Sequence, residues 1–312
     1  MPRATKAVAP VVAPGVAEAS ARVAVRKTYK LYIGGAFPRS ESGRSYVVES
    51  ADGAPLANAV RGSRKDVRDA VRAARAAFPG WDAKSAMLRG QVLYRVAELL
   101  EGRREQFESE VAAAEGLTAD AARAQVDRAI DRWVWYAGWA DKIMQLLGTV
   151  NPVASSYFDF TFPEATGVVG IVAPEASSLL GLVSRLAPVL VGGNTAVVLA
   201  SEGRPLPAVT LSEVLATSDV PGGVVNLITG FRRELVPHLA AHMDVNAIDT
   251  WGVPAAMVVA VEEAALDNVK RVARAPRGTA ERIDWLDDRV AQRPEWIAAF
   301  LELKTVWHPI GV

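Results

Sequence analysis

The stretch from Val168 to Thr250 constrains the fold most, because short β-branched runs alternate there with helical runs. The strand-like runs are 168–173, 195–199, 224–228 and 247–250, and the helical runs between them are 177–191, 206–216 and 234–241. Strands that read as continuous apolar runs are typical of parallel sheets covered by helices on both faces. We therefore predict an α/β fold with a Rossmann-like parallel sheet and flanking helices.

Helical periodicity dominates the chain before that stretch. Apolar residues recur at helix spacing from about Asp66 to Asp141, with turns predicted at Pro79-Gly80 and Gly116. An aromatic cluster lies near the end of this region, at Trp133, Trp135, Tyr136 and Trp139. Aromatic residues at this spacing predict a helix packed into the core.

A different pattern follows the helical region. Residues 155–163 alternate strictly, with Phe158, Phe160 and Phe162 on one face and polar residues between them. Strict alternation predicts a half-buried strand. A second isolated strand is predicted at about Leu303 to His308.

Composition excludes several function classes. The chain has 312 residues, with 35 Lys and Arg, 35 Asp and Glu and no cysteine. Zero net charge gives no long-range attraction to nucleic acid or to an anionic membrane, so we expect neither as a partner. Without cysteine the sequence supplies no disulfide, thiolate metal site or catalytic thiol. His238 and His242 lie one helical turn apart but lack a third ligand, so we predict no metal site.

The N-terminal residues are rich in Ala, Val and Pro, and a basic start precedes an apolar run. Pro10 and Pro14 interrupt this run, which argues against a helical export signal. We predict a flexible arm over residues 1–27, with an export or organelle signal as the alternative, and a cytoplasmic protein. The most apolar stretch, 167–200, is broken by charged residues and prolines, so we predict a buried core there and not a membrane span.

Several passages, in order along the chain, resemble the aldehyde dehydrogenase family. They are Leu31-Tyr32-Ile33-Gly34-Gly35, Tyr136-Ala137-Gly138-Trp139-Ala140-Asp141-Lys142, Pro163 to Pro174, Gly192-Gly193-Asn194-Thr195, Val220-Pro221-Gly222-Gly223 and Thr229-Gly230. The resemblance runs from about Tyr29 to Ala275 and returns at Glu302 to Ile310. It implies a parallel-sheet nucleotide-binding domain, a separate catalytic domain and a small oligomerisation domain.

The sequence departs from the family's pattern at the positions that carry catalysis. The family's Trp-Asn, whose amide stabilises the oxyanion, aligns with Glu175-Ala176, and its general-base Glu aligns with Ala275. Loss of one oxyanion donor alone costs roughly two to three orders of magnitude in rate. The family's catalytic domain, with its cysteine nucleophile, has no counterpart in this sequence. We therefore predict no catalytic residues.

The cofactor positions that the resemblance implies also differ. The ribose-binding Lys-Pro-Ser-Glu of the family aligns with Leu199-Ala200-Ser201-Glu202, and two phosphate-loop glycines align with Arg232 and Val236. The family's Phe-Thr-Gly-Ser aligns with Thr250 to Val253. The resemblance leaves only vestigial cofactor positions, which are Glu202, Gly230 and Gly252. We predict no bound cofactor, with weakened NAD(P) binding as the alternative.

The resemblance also implies an interface. In the family the last strand pairs with a hairpin and docks onto the sheet edge of a neighbouring subunit. The interface residues expected here are Tyr157, Phe158, Phe160, Phe162, Leu303, Thr305, Val306 and Trp307. We expect a full-length aldehyde dehydrogenase to supply the acceptor edge, because the apolar face is otherwise left exposed.

The main hypothesis is a catalytically inactive subunit, structural or regulatory, in a hetero-oligomer with a full-length NAD(P)-dependent aldehyde dehydrogenase. Two alternatives stay open, a non-catalytic NAD(P)-binding regulator and a residual oxidoreductase that acts on aldehydes. We place the nucleotide-binding domain at 28–275, including an oligomerisation hairpin at 151–165. A linker or short exposed helix is predicted at 276–299, and the oligomerisation strand at 300–312.

Overall fold

A computed structural model defines the fold of residues 25–275 and 283–311. In chain order the strands are β1 (Thr28–Tyr29), β2 (Ser45–Glu49), β3 (Pro55–Val60), β4 (Thr149–Asn151), β5 (Tyr157–Ala165), β6 (Val168–Val172), β7 (Thr195–Leu199), β8 (Val225–Ile228), β9 (Ala247–Asp249), β10 (Arg271–Ala273) and β11 (Leu301–Pro309). The helices are α1 (Arg64–Asp82), α2 (Ala86–Glu101), α3 (Arg104–Glu115), α4 (Ala119–Ala137), α5 (Ile143–Leu147), α6 (Leu180–Val191), α7 (Leu206–Leu215), α8 (Arg232–Ala240), α9 (Ala255–Leu266), α10 (Asp288–Ala291) and α11 (Pro294–Ala298). The predicted N-terminal arm, 1–27, lies outside the described residues except for 25–27.

The centre of the molecule is a five-stranded parallel sheet in the order β10-β9-β6-β7-β8. Alternate residues of its strands face α1, α8 and α9 on one side and α6 and α7 on the other, and α2 and α4 pack on α6. Every residue of β6 and β7 is therefore buried. The predicted α/β fold is confirmed, since helices on both faces remove the need for polar alternation in the strands.

Helix α1 begins where the sequence supplies a capping box. The Ser63 hydroxyl accepts a hydrogen bond from the Asp66 N–H at 3.4 Å, and the Asp66 carboxylate accepts one from the Ser63 N–H at 2.7 Å. The prediction of a turn at Pro79-Gly80 is wrong, because α1 continues through both residues to Asp82. The last turn is held by Trp81, a buried side chain whose indole N–H donates to the Leu190 carbonyl at 3.1 Å.

The strands β4, β5 and β11 form an antiparallel three-stranded sheet, the arm sheet, in the order β11-β5-β4. Its register pairs Val306 with Phe160 and Thr305 with Thr161. The predicted alternation is confirmed, since the three phenylalanines lie on one face and Asp159 and Thr161 on the other. The remaining strands form a small sheet, β1-β3-β2, beside the parallel sheet.

Residues 283–300, the C-terminal segment, were predicted to be a linker or a short exposed helix, together with the start of the last strand. Two short helices, α10 and α11, occur there, and the side chains of Trp285, Ala291, Ile297 and Phe300 are buried. The charged residues of 284–289 are exposed or partly exposed. The predicted short helix is therefore present in two pieces, but the prediction that it is exposed is wrong for its apolar side chains. Residues 276–282 lie outside the described part of the chain.

The apolar stretch 167–200 folds into β6, α6 and β7 of the core. Within 25–275 and 283–311, no helix combines the length and the apolar character needed to cross a bilayer.

Candidate functional site

The carboxyl ends of β6, β7, β8 and β9 meet at one edge of the parallel sheet, which is the edge where ligands bind in open α/β folds. The loops that leave this edge contain Glu175 after β6, Glu202 after β7, Gly230 after β8 and Gly252 after β9. The predicted cofactor positions therefore lie along one edge. We refer to it below as the carboxyl edge.

Glu175 joins three of these loops. Its carboxylate accepts hydrogen bonds from the Ser201 hydroxyl at 2.9 Å, the Glu202 N–H at 3.0 Å and the Gly203 N–H at 2.7 Å. It also forms an ion pair with the Arg232 guanidinium, at 2.8 Å. The side chain that replaces the family's Trp thus connects the end of β6 to the end of β7 and to the start of α8.

Arg232 is the second connector at the carboxyl edge. Its backbone N–H donates to the Glu202 carboxylate at 2.8 Å, and its guanidinium donates to the Ala173 carbonyl. Burial lowers the pKa of Arg232, and the carboxylates of Glu175 and Glu202 oppose that shift. Glu202 therefore satisfies the first turn of α8, where a backbone donor would otherwise lack an acceptor.

Tyr46 covers the same cluster from β2. Its hydroxyl donates to the Glu202 carbonyl at 3.3 Å, and its ring lies 5.3 Å from the Phe231 ring. Burial raises the pKa of Tyr46, and the charges of Glu202 and Glu175 raise it further. The phenol is thus held neutral at physiological pH.

The two predicted glycines, Gly230 and Gly252, lie where neighbouring backbone segments pack closely. A Cβ on Gly252 would lie 2.1 Å from the Ala173 carbonyl oxygen, and its N–H donates to the Val172 carbonyl at 3.0 Å. Gly230 has φ +146° and packs on Gly62. Arg232 connects Glu202 with the Ala173 carbonyl, against which Gly252 packs.

The positions that resemble the family's catalytic residues carry no reactive group. Ala176 is exposed at the end of β6, and Ala275 packs half-buried against the core. Ser177 has an unusual φ of +59°, and its hydroxyl donates to the Gln125 amide oxygen at 2.8 Å. Ser178 donates to Glu115 at 2.7 Å. Neither serine caps a helix, because α6 begins at Leu180 without a side-chain cap.

Arg185 lies in a second cluster, beside β9, that the sequence did not predict. It is 1% exposed and forms an ion pair with Asp249 at 2.6 Å. The guanidinium carbon lies 4.8 Å from the Trp251 ring centre and 4.3 Å from the Trp296 ring centre. Burial raises the pKa of Asp249, while Arg185 opposes that shift. The lone arginine within an apolar helix was the available sequence signal, since a buried charge needs a partner.

Arg132 fixes the C-terminal segment to α4. It is 0% exposed and donates to the carbonyls of Ala291 at 2.7 Å and Trp285 at 3.1 Å. It also contacts the Asp288 carboxylate at 2.9 Å and the Ser184 hydroxyl. Together with Arg185, it attaches the C-terminal segment to the helices beside the parallel sheet.

The predicted interface residues divide over the two faces of the arm sheet. Phe158, Phe160, Phe162 and Val306 share one face, and Tyr157, Leu303, Thr305 and Trp307 share the other. Several stay exposed, among them Phe158 at 44% and Trp307 at 57%. β11 is an edge strand, so one side of its backbone is unpaired within the described sheet. The arrangement therefore offers apolar side chains and an open edge together.

No group of three or more His, Asp or Glu in the described ranges is arranged to hold a metal ion. His242 instead accepts a hydrogen bond from the Asp244 N–H through Nδ1, at 3.2 Å.

Comparison with known proteins identifies the fold. The aldehyde dehydrogenase family profile matches residues 37–281. The cytosolic 10-formyltetrahydrofolate dehydrogenase of Mus musculus is 31% identical over 87% of this chain and 31% of its own length. Aldehyde dehydrogenase, cytosolic 1, of Elephantulus edwardii is 32% identical over 78% of this chain and 49% of its own length.

Solved structures agree with the sequence relatives. HpcC from Thermus thermophilus superposes with a TM-score of 0.74 and 31% identity, over 79% of this chain and 47% of that one. The NAD+ complex of an aldehyde dehydrogenase from Bacillus cereus gives a TM-score of 0.74 and 25% identity, over 78% and 50%. The chain thus spans about half or less of the length of these relatives. The profile match and the shared fold place this chain in the aldehyde dehydrogenase family.

Proposed function

We propose that this chain is a catalytically inactive aldehyde dehydrogenase-like protein that serves as a structural or regulatory subunit. Its partner is a full-length NAD(P)-dependent aldehyde dehydrogenase, in a cytoplasmic hetero-oligomer. The observation that carries the proposal is the arm sheet, where Phe158, Trp307 and Leu303 remain 44%, 57% and 64% exposed. Exposed apolar residues grouped beside an unpaired strand edge are typical of a protein interface.

The side chains at the carboxyl edge support the proposal that this chain is catalytically inactive. A dinucleotide phosphate needs a close approach to backbone N–H groups at the start of a helix. At the start of α8 the Arg232 N–H already donates to the Glu202 carboxylate. The ion pair between Glu175 and Arg232 occupies the space through which a phosphate would reach this helix start. Two carboxylates beside the helix start also repel a phosphate. These residues do not fit NAD(P), so no hydride-transfer step is assigned to this chain.

The residues beside the edge also lack a competent nucleophile. Ala176 and Ala275 have no functional group, and the sequence has no cysteine. Ser177 donates to an amide oxygen, which is not a base. Ser178 is 1% exposed, so a substrate does not reach its hydroxyl. Activation of a hydroxyl needs both a base partner and access for the substrate. Ser177 lacks the base, and Ser178, although it donates to the Glu115 carboxylate, lacks the access.

Co-expression with a full-length aldehyde dehydrogenase from the same source tests the assembly. We expect the two chains to co-elute in size exclusion with light scattering. Phe158→Ser and Trp307→Ser change opposite faces of the arm sheet, and at least one should abolish co-elution. Val259→Ser is the matched control, because Val259 is 64% exposed on α9, whose main contacts are with α8 and β10. A stable monomer that never co-elutes contradicts the proposal.

Two measurements on the isolated chain separate the alternatives. Micromolar NAD(P) binding by calorimetry would support the nucleotide-binding regulator instead. NADH production from an aldehyde by the purified chain would support the residual oxidoreductase. We expect neither signal, because Glu175 and Arg232 fill the carboxyl edge.

A further inference from the structure

A cavity opens between the helices α5 and α11, and the carboxyl-edge residues Glu175, Glu202 and Arg232 do not line it. Its volume is about 300 Å³, within the range of about 300–1,000 Å³ that is usual for small-molecule sites. Ile143 and Ile297 are 6% and 1% exposed, whereas Leu146 is 58% exposed, so the cavity runs from the core to the surface. Apart from Glu295 the lining residues are apolar, namely Trp139, Ile143, Leu146, Leu147, Pro294, Ile297 and Ala298.

Within the described part of the chain, the only charge on the cavity wall belongs to Glu295. Its carboxylate accepts two hydrogen bonds from the Arg293 guanidinium, at 3.1 and 3.3 Å, and both side chains are at least half exposed. These hydrogen bonds lower the pKa of Glu295, so the two opposite charges persist at neutral pH and balance each other. A charged ligand would therefore lose water in the cavity without gaining a partner. The wall favours an uncharged ligand.

Trp139 is the largest side chain of the wall. Its ring lies 5.3 Å from the Trp135 ring, and both residues are half-buried. Aromatic rings attract one another beyond the area that they bury, so Trp139 favours an aromatic ligand over an aliphatic one of the same size. An apolar cavity of about 150 Å³ is known to stay dry and to bind benzene. The larger volume here admits an aromatic ring with a substituent.

We propose that this cavity is a binding site for a small uncharged aromatic molecule. Both of its walls lead into the arm sheet, because α5 ends at Leu147, two residues before β4, and α11 ends at Ala298, three residues before β11. A molecule held between the two helices therefore also restrains the two outer strands of that sheet. The site does not depend on the assembly proposed above, since all of its lining residues belong to this chain.

Fluorine NMR on the full chain tests the proposal, with 4-fluorotoluene as the probe. We expect saturable broadening of the probe signal by the unsubstituted chain. Ala298→Phe fills the cavity and should weaken binding roughly tenfold or more, since burial of the ring supplies most of the affinity of so small a ligand. Ala298→Leu fills less of the space, so a smaller loss is expected, and it replaces the phenylalanine variant if that one fails to fold.

Ala256→Phe is the matched control, because Ala256 is exposed on α9 and does not line the cavity. It adds the same ring to the surface and should change the Kd less than twofold. The probe 4-fluorobenzoate tests the charge, and it should bind at least roughly tenfold more weakly because the wall offers no partner to a carboxylate. The proposal is wrong if the folded Ala298 variants bind 4-fluorotoluene as the unsubstituted chain does, or if the two probes bind equally well.

Hydrogen exchange locates the bound probe. Saturating 4-fluorotoluene should slow exchange in α5 and α11, and unchanged exchange in both helices would contradict the proposal. A second copy of the chain is the competing occupant. A dimer in light scattering that Ala298→Phe dissociates, together with no probe binding, would assign the cavity to that copy and overturn the proposal. None of these measurements uses a full-length partner, so this proposal and the proposed function fail separately.

Discussion

The parallel sheet and the arm sheet place similar apolar residues in opposite surroundings. Every residue of β6 and β7 is buried, because helices of the same chain cover both faces. In β11 only Leu301 is buried, and most of the other residues are exposed. The parallel sheet therefore supplies the stability of the chain. The arm sheet buries less apolar surface and leaves several of its apolar side chains exposed.

The largest effect on the free energy of unfolding is expected for a substitution in the parallel sheet. Arg185 is 1% exposed, and its ion-pair partner is Asp249. Asp249→Ala therefore leaves the buried charge of Arg185 without its carboxylate partner. We expect a loss of about 3–5 kcal/mol in the free energy of unfolding, measured by urea denaturation. Glu98→Ala breaks the exposed Arg95 pair and should cost about 0.5 kcal/mol or less. Similar losses in the two variants would contradict the assignment of stability to the buried pair.

An intermediate effect on the free energy of unfolding is expected for a substitution at the contact between the C-terminal segment and α4. Arg132→Met removes the donor to the carbonyls of Trp285 and Ala291 and should cost about 2–3 kcal/mol, because buried acceptors lose their partners. Hydrogen exchange should become faster in 285–300 and stay slow in β6 and β7.

Arg128→Met is the control for that experiment. Arg128 lies on the same helix and contacts the same Asp288, at 3.1 Å, but its side chain is 44% exposed. Its substitution should leave exchange in the C-terminal segment nearly unchanged. Equal protection in the Arg132 and Arg128 variants would show that the buried arginine does not attach the segment.

The fold was largely predictable because its signals are local. The β-branched runs of β6 and β7 and the strict alternation of β5 depend only on neighbouring residues. The C-terminal segment was not predictable in this way. Its buried state depends on Arg132, which is 159 residues from Ala291 in sequence. Composition alone predicted an exposed segment, because the charged residues 284 and 287–289 outnumber the apolar positions Trp285 and Ala291 around them.

The candidate site was predictable in part. The alignment of Glu175, Ala176 and Arg232 with the family's pattern placed the departures at the carboxyl edge. It did not predict that Glu175 and Arg232 bind one another, because the two residues come from different loops and meet only when the sheet forms. The role of Glu175 depends on its contact with Arg232, and comparison of the two sequences does not show which residues are in contact.

The smallest effect on the free energy of unfolding is expected for substitutions within the arm sheet. The hydroxyls of Thr161 and Thr305 lie 2.8 Å apart across β5 and β11. Valine has the same shape and keeps the β-branched geometry, so Thr161→Val, Thr305→Val and the double variant form a double-mutant cycle. We expect a coupling energy of about 0.2–1 kcal/mol from urea denaturation, as for other cross-strand pairs.

The same substitution in β7 makes the comparison between the two sheets direct. The Thr195 residue is 0% exposed and its hydroxyl donates to the Ala74 carbonyl at 3.1 Å, so Thr195→Val removes a buried hydrogen bond. The expected cost is about 0.5–1.5 kcal/mol, whereas Thr305→Val should cost less because water replaces the lost hydroxyl. If Thr305→Val costs as much as Thr195→Val, the arm sheet is a stabilising part of the isolated chain. The same result would remove the reason for treating its apolar surface as free for a partner.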